Sequence, residues 1–449
     1  MNIDEFKKIY PNYFIPRYTH FDRKIRFENV FDYIKNKNNI KSHKFYPFIS
    51  YTKEYVRYNN STGKNIKKRE LCYAAHIDSL IYKYYGILLN GEYSKFLDKN
   101  ILSDIPIAYR SDLKGKSNIQ FAKIAFDFLK NQKEAYVFIG DFKDFFPSLN
   151  HKYLKERICQ ILDVSKLSDD YYAVFKNITR YSTVQLDELL ALNNLKNNKN
   201  GINNFNKLKV ALPNNSTINE LKHKGIINIK RNLELGIPQG SPMSGVLANI
   251  YMIKFDLAIK NIVDAYSGIY MRYSDDIIII IPASKKELFD KAYSNIIIEI
   301  NNIPNLILED KKKNIFYYNN GALINISNNY MLNKENSSNI LDYLGFSFDG
   351  KYVSIRAKTL TKYYYRAYKK VKTIKNNNFN TKKGNVINKK ILYEKYSERH
   401  YGIDDFRHRS KGNFIDYVRR AEKEFKGEKR IADVHKRHMA KIALRLKKT

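Results

Sequence analysis

Residues 273–281 read Tyr-Ser-Asp-Asp followed by five isoleucines, and Pro282 closes the run. Five β-branched aliphatic residues in a row favour a strand that can only be buried. The stretch from Gly268 to Tyr273 reads as its partner, which makes a hairpin with Asp275 and Asp276 at the turn. Two adjacent carboxylates at the head of a buried strand are costly unless something positive lies between them. The rest of the chain has to supply a lysine, an arginine or a metal ion.

Composition narrows the partner. A chain of 449 residues predicts two or three domains. Hydrophobic residues make up 43% and aromatic residues 14%, ample for a core, so a disordered chain is excluded. The 80 Lys plus Arg against 45 Asp plus Glu leave a formal net charge of +35. A codon bias explains lysine replacing arginine better than it explains this excess of base over acid. The excess points to a polyanion, nucleic acid first, with a merely basic and solvated surface as the plainer alternative. Cys72 and Cys159 stand far apart, which excludes a disulfide framework or a zinc knuckle and fits a reducing cytosol. The N-terminus has no apolar secretory core, and the aliphatic runs 277–281 and 296–298 are too short to span a bilayer. The expectation is a soluble cytoplasmic protein without a membrane partner.

Periodicity places the motifs on elements. Residues 72–97 predict a helix pair broken near Gly91, 117–132 an amphipathic helix, 135–142 a short strand ending at an acid, and 151–164 a helix. Residues 245–261 predict a helix, and 283–302 another that packs on the hairpin's sheet. The polar stretches within 1–70 read as loops or charged surface, and the Asn-rich 193–217 as a long loop or exposed insertion. A second Asn-rich loop covers about 326–339, and beyond Gly350 the chain turns helical and strongly basic.

If the strand ending in Asp141 neighbours the hairpin in an antiparallel sheet, Asp141, Asp275 and Asp276 converge at one edge. Three such charges need compensation. Two divalent cations supply it, and hard oxygen ligands select Mg²⁺, with Mn²⁺ as a substitute. Two metals about 3.5–4 Å apart stabilise the attacking and leaving oxygens of a phosphoryl transfer. On the dipeptide alone, an aspartate pair capping a tight turn is the plainer reading. Between the acid motifs, residues 235–252 join a Gly/Pro/Gln/Ser loop to an apolar helix. Gly236, Gly240 and Gly245 let backbone approach a flat ligand, and the Gln239 amide can hydrogen-bond to it.

In this order, acid strand, glycine loop with helix, then Tyr-x-Asp-Asp hairpin, the chain resembles the reverse transcriptases. "DFKDFFPSL" (141–149) is similar to their motif A, "GIPQGSPMSGVLANIY" (236–251) to motif B and "YSDD" to motif C. "LEDKKKN" (308–314) is similar to motif D, "LDYLGFSF" (341–348) to motif E, the primer grip, and "IAYRSDLKGKSN" (107–118) to the fingers motif before motif A. The resemblance implies an α+β right-hand polymerase, with fingers, an antiparallel palm sheet and a basic α-helical thumb or C-terminal region. The regions expected are 1–100 (N-terminal extension and start of the fingers), 101–350 (fingers and palm, with an insertion at about 193–233) and 351–449 (thumb).

The resemblance also implies roles. Asp141 and Asp275 bind both metals, with the Phe142 carbonyl as a further ligand, and Asp276 is the third acid. Arg110 and Lys116 grip the triphosphate, and Gln239 and Gly240 lie beside the nucleotide and template base. Lys313 is the general acid for pyrophosphate, with Lys312 an almost equal candidate. Phe146 is the steric gate. An aromatic ring offers a ribose 2′-hydroxyl no partner and would clash with it, which favours dNTPs. The alternative is that Phe145 and Phe146 are both core. Tyr343, Leu344 and Gly345 fall in the primer grip, with Tyr343 and Phe346 as readily core. Arg356, Lys358, Lys369, Lys370, Arg419 and Arg420 would contact a template–primer duplex or structured RNA, some of them being only solvated helix faces.

Among reverse transcriptases, the stretches around 74–110 and 348–425 are similar to the bacterial defence-associated and abortive-infection group. That implies antiphage defence, a dedicated structured non-coding RNA as template and a DNA product, and leaves a second copy or a second protein open as a partner. Group II intron enzymes usually have Ser-Pro where this chain has Ser244-Gly245, and no ribonuclease H, HNH or zinc pattern follows the thumb. Two other readings stay open: untemplated or protein-primed DNA synthesis, and an RNA-binding scaffold with a vestigial polymerase site.

Overall fold

The five isoleucines lie at the centre of the main sheet, each at most 1% exposed. Ile277, Ile279 and Ile281 belong to one apolar core, and Ile278 and Ile280 to another. Successive side chains of a strand leave on opposite faces. Both faces of this strand are therefore covered, and no polar residue interrupts it. The computed structural model describes Glu5 and residues 18–59, 63–110, 112–113, 115–213, 216–331, 338–376, 392, 396, 401–404, 409–411, 413–436 and 438–447. Most of 1–17, part of the Asn-rich loop at 326–339, and Ser111 and Lys114 of the fingers motif lie outside these residues.

Strands β1 (Phe48–Asn59) and β2 (Gly63–Tyr73) form a long antiparallel hairpin, and most of the second strand lies in 59–70, where the sequence reading expected loop or charged surface. The outer part of this ribbon has no third strand, so apolar alternation does not mark it. Instead Lys53 and Arg69 are cross-strand partners, with their charges 5.4 and 5.6 Å from the centre of the Tyr55 ring. Helix α1 (His76–Lys99) follows, its first amides capped by the Asp22 carboxylate at 2.9 and 2.8 Å. It runs through Gly91 without the expected break. A mid-helix glycine costs about 1 kcal/mol, less than is gained by burying Leu80, Ile81, Tyr82, Tyr85, Leu89, Tyr93 and Leu97 on one element.

Helix α2 (Asn118–Lys130) opens on a Ser117/Gln120 capping box, and β3 (Glu134–Asp141) and α3 (His151–Leu162) follow as expected. After β4 (Ser182–Gln185), the Asn-rich stretch is not an exposed loop. It contains α4 (Lys199–Phe205), and the rest of the insertion expected at about 193–233 contains α5 (Ile218–His223) and β5 (Lys230–Arg231). Phe205, Ala211, Leu221 and Ile227 form a third core with Phe21, Ile49, Val184 and Leu189. The polar residues of the stretch cap its helices. Asn198 accepts from the amides of Asn200 and Gly201, and Thr217 and Glu220 make a capping box.

The expected helix over 245–261 is two, α6 (Ser244–Tyr251) and α7 (Ile253–Asp264), separated at Met252. The hairpin β6 (Ile269–Tyr273) and β7 (Asp276–Pro282) leads to α8 (Lys286–Asn301), then β8 (Asn314–Asn319) and β9 (Ala322–Asn325). The main sheet has the order β6-β7-β3-β8-β9, with all neighbours antiparallel. Helices α7 and α8 cover one face. A small sheet of β10 (Leu341–Tyr343), β11 (Phe346–Phe348) and β12 (Val353–Ile355) covers the other, together with α2. That sheet runs across position 350. Beyond it come α9 (Ala357–Asn376), α10 (Phe414–Glu424) and α11 (His438–Lys447). Val418 and Ala421 of α10 join the core under the main sheet, whereas α9 and α11 share a separate one. Among the described residues, no helix is long and apolar enough to cross a membrane.

Candidate active site

Asp141 ends β3, Asp276 begins β7, and the two are direct partners in the antiparallel register. Asp275 stands between the strands, its carbonyl accepting the Phe142 amide at 3.1 Å. Tyr273 pairs with Asp276, so Ser274 and Asp275 form a two-residue turn. Ser274 takes a φ of +62°, a conformation that glycine normally supplies and that costs a residue with a side chain on the order of 1–3 kcal/mol. The Ser274 carbonyl accepts from the fully buried Arg272 guanidinium at 3.2 Å, which ties the turn to the core.

The electrostatics of this edge call for a cation. Solvent reaches Asp276 on one side, yet protein crowds its carboxyl on the other. Desolvation first, then the charge of Asp275, push its pKa up to about 6, with Arg356 pulling the other way. The Lys312 ammonium is paired with the Asp141 carboxylate and lies 2.6 Å from Glu309. The segment after Ile307 runs antiparallel beside motif A, with Lys143 N–H donating to the Ile307 carbonyl and Glu309 N–H to the Asp141 carbonyl, both at 2.8 Å. That pairing swings Lys312 onto Asp141. Lys313, the lysine favoured from sequence, pairs with Asp310 at 3.0 Å. The Phe142 carbonyl takes no part in the Asp141/Lys143 pairing.

Hard carboxylate oxygens, with the charge of Asp275 helping to raise the pKa of Asp276, suit a hard divalent cation. Among the described residues, however, no three acid, histidine or cysteine side chains are gathered tightly enough to hold a metal ion as they stand. The donor chemistry fits, and Lys312 has to leave Asp141 for a cation to reach it.

Phe145 and Phe146, left unresolved in sequence, separate here. Phe145 is 3% exposed in the core, whereas Phe146 is half-buried at the surface and meets the Tyr109 ring edge-on, centroids 6.4 Å apart. The glycines of the 235–252 loop approach protein rather than open space. A Cβ on Gly240 would stand 2.3 Å from the Cys72 carbonyl, and one on Gly245 would stand 2.7 Å from the Tyr109 ring. The Gln239 carbonyl accepts the Cys72 amide at 2.9 Å, so the loop is seated on the base of the β1–β2 hairpin. Arg110, expected to grip a triphosphate, is folded into its own loop. Its side chain is 2% exposed, binds Asp112 and donates to the Ser103 carbonyl at 2.9 Å. Lys116 is exposed nearby.

Leu344 and Gly345 hold φ values of +45° and +93° between the paired Tyr343 and Phe346, as a type I′ hairpin turn needs. The Leu344 carbonyl accepts from Asn118 at 2.8 Å, and the Gly345 carbonyl from the Arg356 amide at 3.0 Å. Tyr343 is buried, with its hydroxyl close enough to Asp276 for that charge to raise its pKa further. Arg356 pairs with Asp342 at 2.7 Å. The small sheet thus borders the acids. Lys358 and Lys369 lie exposed on α9 and Arg419 and Arg420 on α10, with Lys370 half-buried.

Residues 99–348 match the reverse transcriptase (RNA-dependent DNA polymerase) family. The chain belongs to that family. Members of this family are RNA-directed DNA polymerases, a class of nucleotidyltransferase, and work with divalent metal ions, an RNA template and a DNA product. Among solved structures it is similar to an apo telomerase from Candida tropicalis truncated from its C-terminal domain, with 15% identity and a TM-score of 0.40, over 68% of this chain and 54% of that one. It is also similar to apo telomerase from the same organism, with 16% identity and a TM-score of 0.36, over 70% and 50%. The reverse transcriptase thus spans about half the length of each. No curated protein matches it.

Sequence reasoning missed Tyr109, Asn249, Asp256 and Arg272. The last had a signal, an arginine one residue before Tyr273 inside a strand that is otherwise apolar or aromatic.

Proposed function

We propose that this reverse transcriptase adds dNTPs to a 3′-hydroxyl on an RNA template, with Asp141, Asp275 and Asp276 holding two Mg²⁺ ions, for which Mn²⁺ can substitute. The observation that carries the reading is the register that sets Asp141 opposite Asp276 with Asp275 in the turn between. Bound divalent cations would lower the pKa of the attacking hydroxyl and neutralise charge on the phosphates. The chain's own groups do the rest. The three carboxylates and the Phe142 carbonyl fix the cations. Lys312, on leaving Asp141, carries its positive charge and protons to the pyrophosphate side, the role first given to Lys313. Phe146 closes the space a ribose 2′-hydroxyl would need. Gln239 and Gly240, seated on the hairpin base, border the nucleotide and template base, and Lys116 supplies charge to the triphosphate with Arg110 bracing the loop.

Tyr343, Leu344 and Gly345 border the primer end, with Arg356 beside them. Lys358, Lys369, Lys370, Arg419 and Arg420 follow the duplex backbone, where Lys and Arg release counterions from phosphate. The three regions, 1–100, 101–350 and 351–449, take the parts of finger base, fingers and palm, and thumb. The flanking resemblance supports a cytoplasmic role in antiphage defence on a dedicated non-coding RNA.

The test is primer extension by the purified protein with its co-purifying RNA, each labelled dNTP and NTP supplied in turn with Mg²⁺, beside Asp275→Ala/Asp276→Ala. RNase-sensitive dNTP incorporation that the variant abolishes supports the reading. Incorporation that survives RNA removal means untemplated synthesis. RNA binding without synthesis in the wild type means a scaffold. Phage plating on cells with either form tests the defence role.

A further inference from the structure

Beneath the Tyr-Ser-Asp-Asp turn lies a polar network sealed from solvent. Arg272, Asp256 and Asn249 are all 0% exposed. Arg272 donates from Nε to one oxygen of Asp256 at 2.8 Å and from Nη2 to the other at 2.6 Å. Its Nη1 reaches Asn249 Oδ1 at 3.1 Å and the Ser274 carbonyl at 3.2 Å. The Tyr270 hydroxyl donates to Asp256 at 2.8 Å. Asn249 turns its other end outward from the network, and Nδ2 donates to the Ala108 carbonyl at 2.8 Å. The Arg272 backbone is pinned as well, donating to the Ile105 carbonyl at 2.8 Å and accepting from the Ile107 amide at 3.0 Å.

A buried ion pair is a poor way to stabilise a fold, since well-packed apolar residues of similar volume often serve as well or better. What a guanidinium supplies is a rigid planar fork that fixes several acceptors at once. Here the fork joins two parts of the site. One is the turn that carries Asp275 and Asp276, held through the carbonyl of Ser274, the residue with positive φ. The other is the loop whose next residues are Tyr109 and Arg110, held through Asn249 and Ala108. Asp256 locks the fork's orientation from α7.

We propose that Arg272 is a positioning residue that sets the aspartate turn in register with the Tyr109 loop, so that acids and nucleotide meet in a productive arrangement. The inference rests on the reading of Asp275 and Asp276 as the polymerase acids. It assigns Arg272 no contact with substrate.

Arg272→Lys keeps the charge and removes the fork. In primer extension by the full chain with its RNA, kcat for addition of one dNTP should fall about 10- to 100-fold while KM for that dNTP moves less than about threefold. Binding of Mn²⁺ without nucleotide, followed by electron paramagnetic resonance, should weaken. The apolar replacement Arg272→Met/Asp256→Leu/Tyr270→Phe removes the ion pair whole, should melt at or near the wild-type temperature, and should lose kcat to the same degree. Either folded variant working at wild-type kcat overturns the inference, as does a change confined to KM. Should both unfold, Asn249→Ala, which leaves the ion pair and cuts the link to Ala108, decides the matter, and unchanged kcat overturns it. Asp275→Ala runs alongside. Extension by that variant means that the acid reading itself fails, whereas a dead Asp275→Ala beside a fully active Arg272→Lys means that only the positioning role fails.

Discussion

Gly245 turns a bare Cα towards the Tyr109 ring, and a Cβ built there would stand 2.7 Å from the ring's Cγ. Tyr109 holds a φ of +58° and meets Phe146 edge-on. The missing side chain at 245 therefore sets how far the Tyr109 ring stands from Phe146, the proposed gate residue. Gly245→Ala should leave α6 intact, because alanine is favoured over glycine in a helix by about 1 kcal/mol. It should push Tyr109 towards Phe146 and raise KM for dNTPs about 3- to 10-fold, with a smaller effect on kcat. Steady-state kinetics on one template would show this, and an unchanged KM would detach Tyr109 from the nucleotide site.

Phe146 is half-buried at the surface, whereas its neighbour Phe145 is core. Truncation at the two positions should then differ in kind. Phe146→Ala should lower the preference for dNTPs over NTPs by about tenfold or more, because one steric clash is removed from the disfavoured substrate. Phe145→Ala should leave that preference alone and cost about 3–5 kcal/mol of stability. Competition between a dNTP and its NTP, with urea unfolding of each variant, separates the outcomes.

Lys312 pairs with Asp141 while Lys313 pairs with Asp310. Proton transfer from a placed side chain typically contributes about 10²–10⁴-fold. Lys312→Met should accordingly lower kcat by at least about tenfold, and Lys313→Met by less than about threefold. A solvent isotope effect that falls in Lys312→Met alone would locate the proton. Equal losses in the two variants would return the assignment to an unresolved pair.

The acid edge was legible in the sequence because strand physics allowed the acids to meet and the motif order resembling the reverse transcriptases chose that arrangement over a simple turn cap. A buried run preceded by two acids, and a second buried strand ending in an acid, have few ways to pair other than Asp141 against Asp276. The choice between Lys312 and Lys313 was not legible, since it depends on how the backbone after Ile307 lies along motif A. The burial of Arg110 was hidden for a similar reason, because its partners are a nearby carboxylate and a carbonyl that no pattern of types encodes. The β1–β2 hairpin escaped because a ribbon wet on both faces has no apolar alternation. Helix α1 survived Gly91 because tertiary burial outweighed a local propensity.

The Asn-rich stretch gives a stability test of the same point. Phe205 is 0% exposed, in a core that joins α4 and α5 to Ile49 of β1 and Val184 of β4. An expendable loop would tolerate truncation there. Phe205→Ala should instead cost about 3–5 kcal/mol, seen as a lower urea midpoint, and should loosen the hairpin base that seats Gln239. A midpoint equal to wild type would restore the reading of a dispensable insertion.

His20 provides a pH dependence away from the acids. It is 0% exposed, its Nδ1 accepts the Phe21 amide at 2.9 Å, and Nε2 faces the Tyr73 carbonyl at 3.2 Å. With Nδ1 as acceptor, the proton belongs on Nε2 and the ring is neutral. Burial first, then nearby His76, push its pKa down from 6.5 to about 3, against the Tyr73 carbonyl. The sign follows from proton counting. Between those two values the unfolded chain binds a proton that the native chain does not, so stability falls as pH drops below 6.5. One such proton is worth about 1.4 kcal/mol per pH unit. The loss continues until the native ring itself titrates near 3, and above 6.5 the residue contributes no slope. His76, with both ring nitrogens buried and without hydrogen-bond partners among the described residues, is shifted down as well and adds to the same slope. His20→Gln keeps an acceptor and a donor and removes the titration. Urea midpoints across the window should then show a flatter pH dependence for the variant by about one proton's worth. Identical slopes in the two proteins would mean that His20 is protonated in the folded chain.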